Sequence, residues 1–296
     1  MQTNEPGALA AAKSRVSDWI SLSKPELTLL SVLTAVCGAY LASGTDLYSA
    51  KILHTFLGTL LVGSGAGILN QFIERDYDRL MRRTSHRPLP SGRVRPFDAL
   101  ILGVVISLAG VADLTFSANP LAGSLAIATL ATYLFLYTPL KRLTPLATAV
   151  GAIPGALPPL IGWVAVRGEF SAEGVALFAV LYFWQMPHFL SHAWMYRLDY
   201  ARAGFRILAV VDPEGKKTSG HILGHSLALG VVSLVPFAFG FLGLAYALSA
   251  LLLGSYLIIC AVKLHRTRST AGARQVFLAS LVYLPGLLLG TVLGKF

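Results

Sequence analysis

The chain has 296 residues, 55% of them hydrophobic and only 13% charged, with a net charge of +10. Soluble domains carry about 25% charged residues, so this balance, with a mean hydropathy of +0.65, excludes a soluble protein and defines an integral membrane one. The excess of bases points to membrane orientation rather than to nucleic acid, because of where the bases fall.

In chain order, apolar stretches near the length of a membrane span occur at 27–44, 50–72, 97–117, 120–138, 144–166, 174–194, 221–240, 243–262 and 275–294. They predict an all-α polytopic protein of nine transmembrane helices around a central cavity. The domain organisation expected is a single membrane domain over 24–296 behind an N-terminal cytoplasmic or interfacial segment over 1–23. Residues 13–20 suggest a short basic stretch on the membrane surface, with Asp18 against the pattern, and no signal peptide is expected. With the N-terminus inside, every one of the 24 Lys and Arg residues except Lys51, Arg167 and Lys295 lies on one side. That asymmetry places the N-terminus in the cytoplasm, and dropping a helix would scramble it.

Within the spans, Cys37 and Cys260 are expected to pack as small apolar residues, without a disulfide or a thiolate metal site. Gly63, Gly65 and Gly67, and Gly286, Gly290 and Gly294, suit close helix approach. Pro154, Pro158 and Pro159 in the fifth span and Pro187 in the sixth remove backbone hydrogen bonds. They suggest a broken helix beside a cavity.

The second span runs into Asn70-Gln71-Phe72-Ile73-Glu74-Arg75-Asp76-Tyr77-Asp78. Asn70, Glu74 and Asp78 fall four apart, on one helix face over about 12 Å. Their oxygens are hard ligands suited to Mg²⁺, and acids at a span end suggest function, against the alternative of a solvated helix end. The loops after the second, fourth and sixth spans share one membrane face. They bring Asp199 to the acids and add Arg83, Arg87, Lys141, Arg142 and Arg206, which suit phosphate oxygens. Acids with bases beside greasy helices suggest a metal-bridged diphosphate on a long hydrocarbon. His188, His192, Met195 and Asp199 would form one stripe if the sixth helix continued past Pro187, leaving metal ligation, haem contact and proton handling open for the two histidines. Histidines 54, 86, 221, 225 and 265 are taken as structural.

The motif Asn70-x-x-x-Glu74-x-x-x-Asp78 resembles the first acidic motif of the UbiA-type intramembrane prenyltransferases, with Glu where many members carry Asp. The run from Asn70 to Arg93 more closely resembles the branch that farnesylates protohaem IX. So do Leu22-Ser23-Lys24-Pro25, Tyr137 to Arg142, Pro187-His188-Phe189 and Asp199 to Gly204. The resemblance implies transfer of a farnesyl group from farnesyl diphosphate to a vinyl group of protohaem IX, with water addition, giving haem O. It implies Mg²⁺ on Asn70, Glu74, Asp78 and Asp199, with Lys141 also catalytic. The diphosphate would lie on Arg83, Arg87, Lys141, Arg142 and Arg206, and His188 and His192 are candidate haem contacts. A hand-off to a haem A synthase or terminal oxidase follows from the product, and a bacterial inner membrane from the lack of a long transit segment. Met195 stands where many relatives carry a second Asp, which favours haem over quinone-type acceptors and leaves a second metal site under-ligated. Ile207-Leu208-Ala209 replaces the usual Met-Leu-Pro. The rivals are an aromatic or quinone-precursor prenyltransferase, a cation- or proton-coupled transporter, and a non-catalytic haem-handling factor.

Overall fold

The computed structural model describes residues 15–44 and 50–295. Among them, nine helices are long and apolar enough to cross a membrane. They are α1 (Pro25–Ala42), α2 (Ala50–Asp78), α3 (Pro96–Ala118), α4 (Pro120–Leu140), α5 (Ala147–Arg167), α6 (Ala172–Met195), α7 (Lys216–Ala238), α8 (Leu244–Thr267) and α9 (Thr270–Leu293). All nine expected spans are present.

Helix α2 has 29 residues, whereas about 20 suffice to cross the hydrocarbon. Its surplus C-terminal turns therefore carry Glu74 and Asp78 out of the apolar layer. The helix starts use proline where its missing N–H is harmless: Pro25 opens α1, Pro96 opens α3 and Pro120 opens α4. Asn119 caps α4 by accepting from Ala122 N at 2.9 Å, and its amide donates to the Val164 and Ala165 carbonyls at the end of α5.

The prolines of α5 do not break it. Pro154, Pro158 and Pro159 lie inside a continuous helix, as Pro187 lies inside α6, so the expected broken helix is corrected. Helices α5 and α6 are the most buried spans, at 67% and 56% of their apolar windows, so neighbouring helices rather than lipid surround the backbone there. Gly162 of α5 faces the Ala35 carbonyl of α1, and Gly38 of α1 faces Pro159, so the two backbones touch. The helical irregularities lie elsewhere, as wide π turns over Leu114–Ala118 and Thr132–Tyr137. The second precedes Pro139, which has no N–H to give, and Thr138 donates both its backbone N–H and, at 2.8 Å, its Oγ1 to the Tyr133 carbonyl.

Around this centre, α2 packs between α1 and α3, α6 packs on α5, α7 and α9, and α8 lies against α7 and α9. Close approach uses small residues, as expected: a side chain at Gly65 would overlap Ser107 of α3, and one at Gly290 would press on Ser249 of α8. Cys37 and Cys260 are both free, as expected, and Cys260 is buried in the core. Residues 15–22 form a helix whose Trp19 and Leu22 pack with Ile68, Leu89, Val94 and Ala99. Asp18, out of character for a basic surface stretch, bonds Arg93 through both carboxylate oxygens. Lys13 lies outside the described residues.

Candidate active site

The site forms where the N-terminal end of α1 meets the C-terminal ends of α2, α4 and α6. Asn70 and Asp78 are each 1% exposed and Glu74 is 7% exposed, which rejects the solvated helix end. Burying a charge is costly unless it is paired, and each carboxylate has its cation. Glu74 Oε1 accepts from Lys141 Nζ at 2.6 Å, and Asp78 Oδ2 accepts from Arg87 at 2.8 Å. Asn70 Nδ2 donates to Thr138 Oγ1 at 3.1 Å, which ties α2 to the widened end of α4.

The third loop closes on the other two. The Arg206 backbone N–H donates to the Lys141 carbonyl at 2.9 Å. Met81, Ala203 and Phe205 form a small buried cluster with Tyr77 and Tyr200 against it. Residues 70–78 and 199–206 thus occupy the same end of the bundle. Arg83 reaches Tyr200 Oη at 3.4 Å and lies over the rings of Tyr196 and Tyr200, while its Nε is buried without a hydrogen-bond partner. Arg142 stacks on Tyr77 at 4.2 Å with its side chain exposed, and Arg206 is also exposed.

Asp199 stands apart from the other acids. Helix α6 ends at Met195, and Asp199 lies on a separate short helix, Arg197–Arg202, where it pairs with Arg202 at 2.8 Å. The expected stripe from His188 to Asp199 is therefore interrupted, because Tyr196 leaves the helical conformation between them. Among the described residues, no three His, Cys, Asp or Glu side chains gather closely enough to share an ion. The donors of α2 do fit Mg²⁺ chemically: Asn70, Glu74 and Asp78 offer hard oxygens on one face, and each carboxylate engages its cation through one oxygen.

His188 is stacked between Trp184 and Phe277, at 4.9 and 4.8 Å, and its Nδ1 lies 2.8 Å from Ser280 Oγ. His192 is half-buried and leans on Tyr196, whose ring also carries Arg83. Among the histidines taken as structural, His54 meets Asp113 at 2.8 Å at the far end of the bundle, and His221 stacks on His225.

One residue escaped the sequence reading of the site. Lys24 donates to Asn70 Oδ1 at 2.6 Å across 46 residues. The signal available was its place in the Leu22 to Pro25 block, which carried no chemistry by itself. Burial pushes the Lys24 amine down to about 7, Arg87 and Lys141 push the same way, and Glu74 and Asp78 oppose them. For Lys141, burial alone would lower the value, but Glu74 and the neighbouring tyrosines outweigh it and hold the amine above its ordinary range. At Lys24, burial and two neighbouring cations disfavour the charged amine, and an added anion beside it would favour it.

Nine helices of membrane-crossing length among the described residues, with a buried site of paired acids and bases at one end, define an intramembrane enzyme. Residues 31–283 match the UbiA prenyltransferase family, and the chain belongs to it. It is similar to a protoheme IX farnesyltransferase of Solibacter usitatus (strain Ellin6076), 44% identical over 277 residues, covering 90% of this chain and 95% of that one. Its fold is that of a digeranylgeranylglyceryl phosphate synthase structure, with a TM-score of 0.79 at 17% identity, covering 95% and 98% of the two chains. It also matches a UbiA homolog from Archaeoglobus fulgidus bound to GPP and Mg²⁺, with a TM-score of 0.66 at 14% identity, covering 93% and 99%.

Proposed function

We propose that the chain transfers the farnesyl group of farnesyl diphosphate to a vinyl group of protohaem IX, making haem O and diphosphate. The observation that carries this reading is its likeness, along nearly the whole of both chains, to protoheme IX farnesyltransferases. The acid-and-base site supports it, since prenyl transfer begins by breaking the bond between C1 and a diphosphate oxygen. The farnesyl C1 then bonds to the terminal vinyl carbon, water adds to the neighbouring carbon, and a proton leaves with the solvent.

Mg²⁺, when bound, neutralises diphosphate charge as a Lewis acid. Glu74 and Asp78 are the residues proposed to hold it, with Asn70 beside them on the same helix face and Asp199 at the edge of the same site. Arg83, Arg87 and Lys141 stabilise the charge that develops on the leaving diphosphate, and Arg142 and Arg206 attract it from the rim. A site set at the end of apolar membrane helices would keep water from the allylic cation before the acceptor reaches it. His192 is the better placed of the two histidine candidates to meet the acceptor, being half-buried beside Tyr196. We place the protein in a bacterial inner membrane with the site at the cytoplasmic face, residues 1–23 at the interface and residues 24–296 as one membrane domain. The product passes to a haem A synthase or a terminal oxidase.

The test is expression in a membrane that lacks haem O, with extracted haems identified by mass. A farnesylated haem is expected. Its absence, with prenylated phenols formed instead, would transfer the reading to the quinone-precursor class.

A further inference from the structure

Lys24 combines two costs that a lysine without a task would not carry. Its backbone is left-handed, with φ 50° and ψ 61°. That position follows the helix over 15–22, where glycine is the usual occupant, and it precedes Pro25, which ordinarily drives the residue before it to extended backbone. Among the described residues, only Arg268 shares a positive φ without being glycine. Strain of this kind persists where the surroundings enforce it and collects at functional sites. The second cost is burial of the amine among other cations.

The side chain ends in a built position. Lys24 Nζ lies 2.6 Å from Asn70 Oδ1. Asn70 Nδ2 donates to Thr138 Oγ1, whose own proton goes to the Tyr133 carbonyl. Thr138 thus fixes which way the Asn70 amide faces, and its oxygen is turned to the ammonium. A divalent cation on that same oxygen would sit against Lys24 and be repelled.

The charges around this position call for an anion. Lys24, Arg87 and Lys141 surround Glu74 and Asp78, which are already paired. The buried Arg83 Nε has no hydrogen-bond partner. Building on the prenyl-diphosphate chemistry proposed above, we propose that Lys24 is a further catalytic residue, a cation on the diphosphate of the prenyl donor. Asn70 is its positioning residue rather than a metal ligand, which leaves Glu74 and Asp78 to hold the ion.

The experiment measures donor and metal separately, in the full chain and without acceptor. Farnesyl S-thiolodiphosphate, which does not ionise, is titrated by calorimetry, and Mn²⁺ by electron paramagnetic resonance. Lys24→Gln retains an amide to bond Asn70 and is expected to bind the donor analogue about 10- to 100-fold more weakly, the worth of a charge-assisted hydrogen bond. Its Mn²⁺ affinity is expected to match the parent, Lys24→Arg to recover part of the loss, and Asn70→Ala to resemble Lys24→Gln. Glu74→Ala is expected to lose Mn²⁺. Lys24→Gly, which relieves the backbone strain, is the second variant, with melting followed in each. Donor affinity unchanged in either Lys24 variant would overturn the assignment of Lys24. Mn²⁺ affinity lost in Asn70→Ala to the extent seen in Glu74→Ala would return Asn70 to the metal. Because no haem enters these titrations, a wrong acceptor would show only as missing haem O with donor binding intact.

Discussion

Glu74 Oε1 and Lys141 Nζ lie 2.6 Å apart although 67 residues separate them, and both side chains are largely buried. This pair joins the acidic end of α2 to the basic end of α4. Removing one partner of a buried pair leaves an uncompensated charge, which costs about 3–5 kcal/mol. Glu74→Gln and Lys141→Met are each expected to lower the melting temperature in detergent, and the double variant to be less destabilised than the sum of the two. Turnover should fall about 100-fold or more in each single variant, as when a group aimed at developing charge is deleted. Additive losses in the double variant would show that the two residues act apart.

Asp78 and Arg87 make the companion pair at 2.8 Å, but with a different exposure: Asp78 is almost wholly enclosed and Arg87 is not. Asp78→Ala is therefore expected to remove Mg²⁺ activation, while Arg87→Ala keeps it and raises the KM for the donor about tenfold, the effect of one charged hydrogen bond. Arg83→Ala should behave like Arg87→Ala. Turnover followed against Mg²⁺ and donor concentration separates the two patterns, and an Arg87→Ala enzyme with normal donor KM would take Arg87 out of the diphosphate site.

The sequence made the spans legible because apolar length and the one-sided distribution of bases are local properties of composition. It also exposed the acids, since Asn70, Glu74 and Asp78 share a helix face at a fixed spacing. The continuity of α5 was hidden, because the rule that a proline breaks a helix refers to the single helix. Burial of Pro154, Pro158 and Pro159 among neighbouring helices is a tertiary fact. Lys24 was hidden for a similar reason: its partner, Asn70, is 46 residues away, and nothing in a single lysine before a proline announces a left-handed backbone. Asp199 was legible as part of the loop after the sixth span, but whether a stripe joined it to His188 was not, since the break at Tyr196 carries no proline or glycine to mark it.

The two histidines of α6 should separate by the kind of loss they cause. His188 is 8% exposed, stacked on both faces and bonded to Ser280, so its removal vacates a packed position. His188→Ala is expected to lower the melting temperature, with Ser280→Ala giving a smaller loss of the same kind. His192→Ala should leave melting near the parent value, within about 0.5 kcal/mol, and raise the KM for protohaem without changing donor affinity. A haem titration followed by absorbance checks this, and a His192→Ala protein with unchanged haem affinity would remove that residue from the acceptor site.

The contact between α1 and α5 fixes where Lys24 stands, because α1 is held by backbone against backbone at Gly38 and Gly162. A side chain at either position meets a carbonyl group, which has no rotamer to give, so the helices must part. Gly162→Val and Gly38→Val are expected to cost about 1–3 kcal/mol or more, the range for overpacking. Gly224 of α7 has nothing within 4 Å of an added Cβ, so Gly224→Ala is the matched control and should melt near the parent value. The milder Gly38→Ala carries the functional reading, since a displaced α1 moves the Lys24 amine from Asn70. It is expected to weaken donor binding with Mn²⁺ affinity retained, the same signature as Lys24→Gln. A Gly38→Ala protein that melts normally and binds the donor normally would show that α1 tolerates the shift and that the α1–α5 contact does not position Lys24.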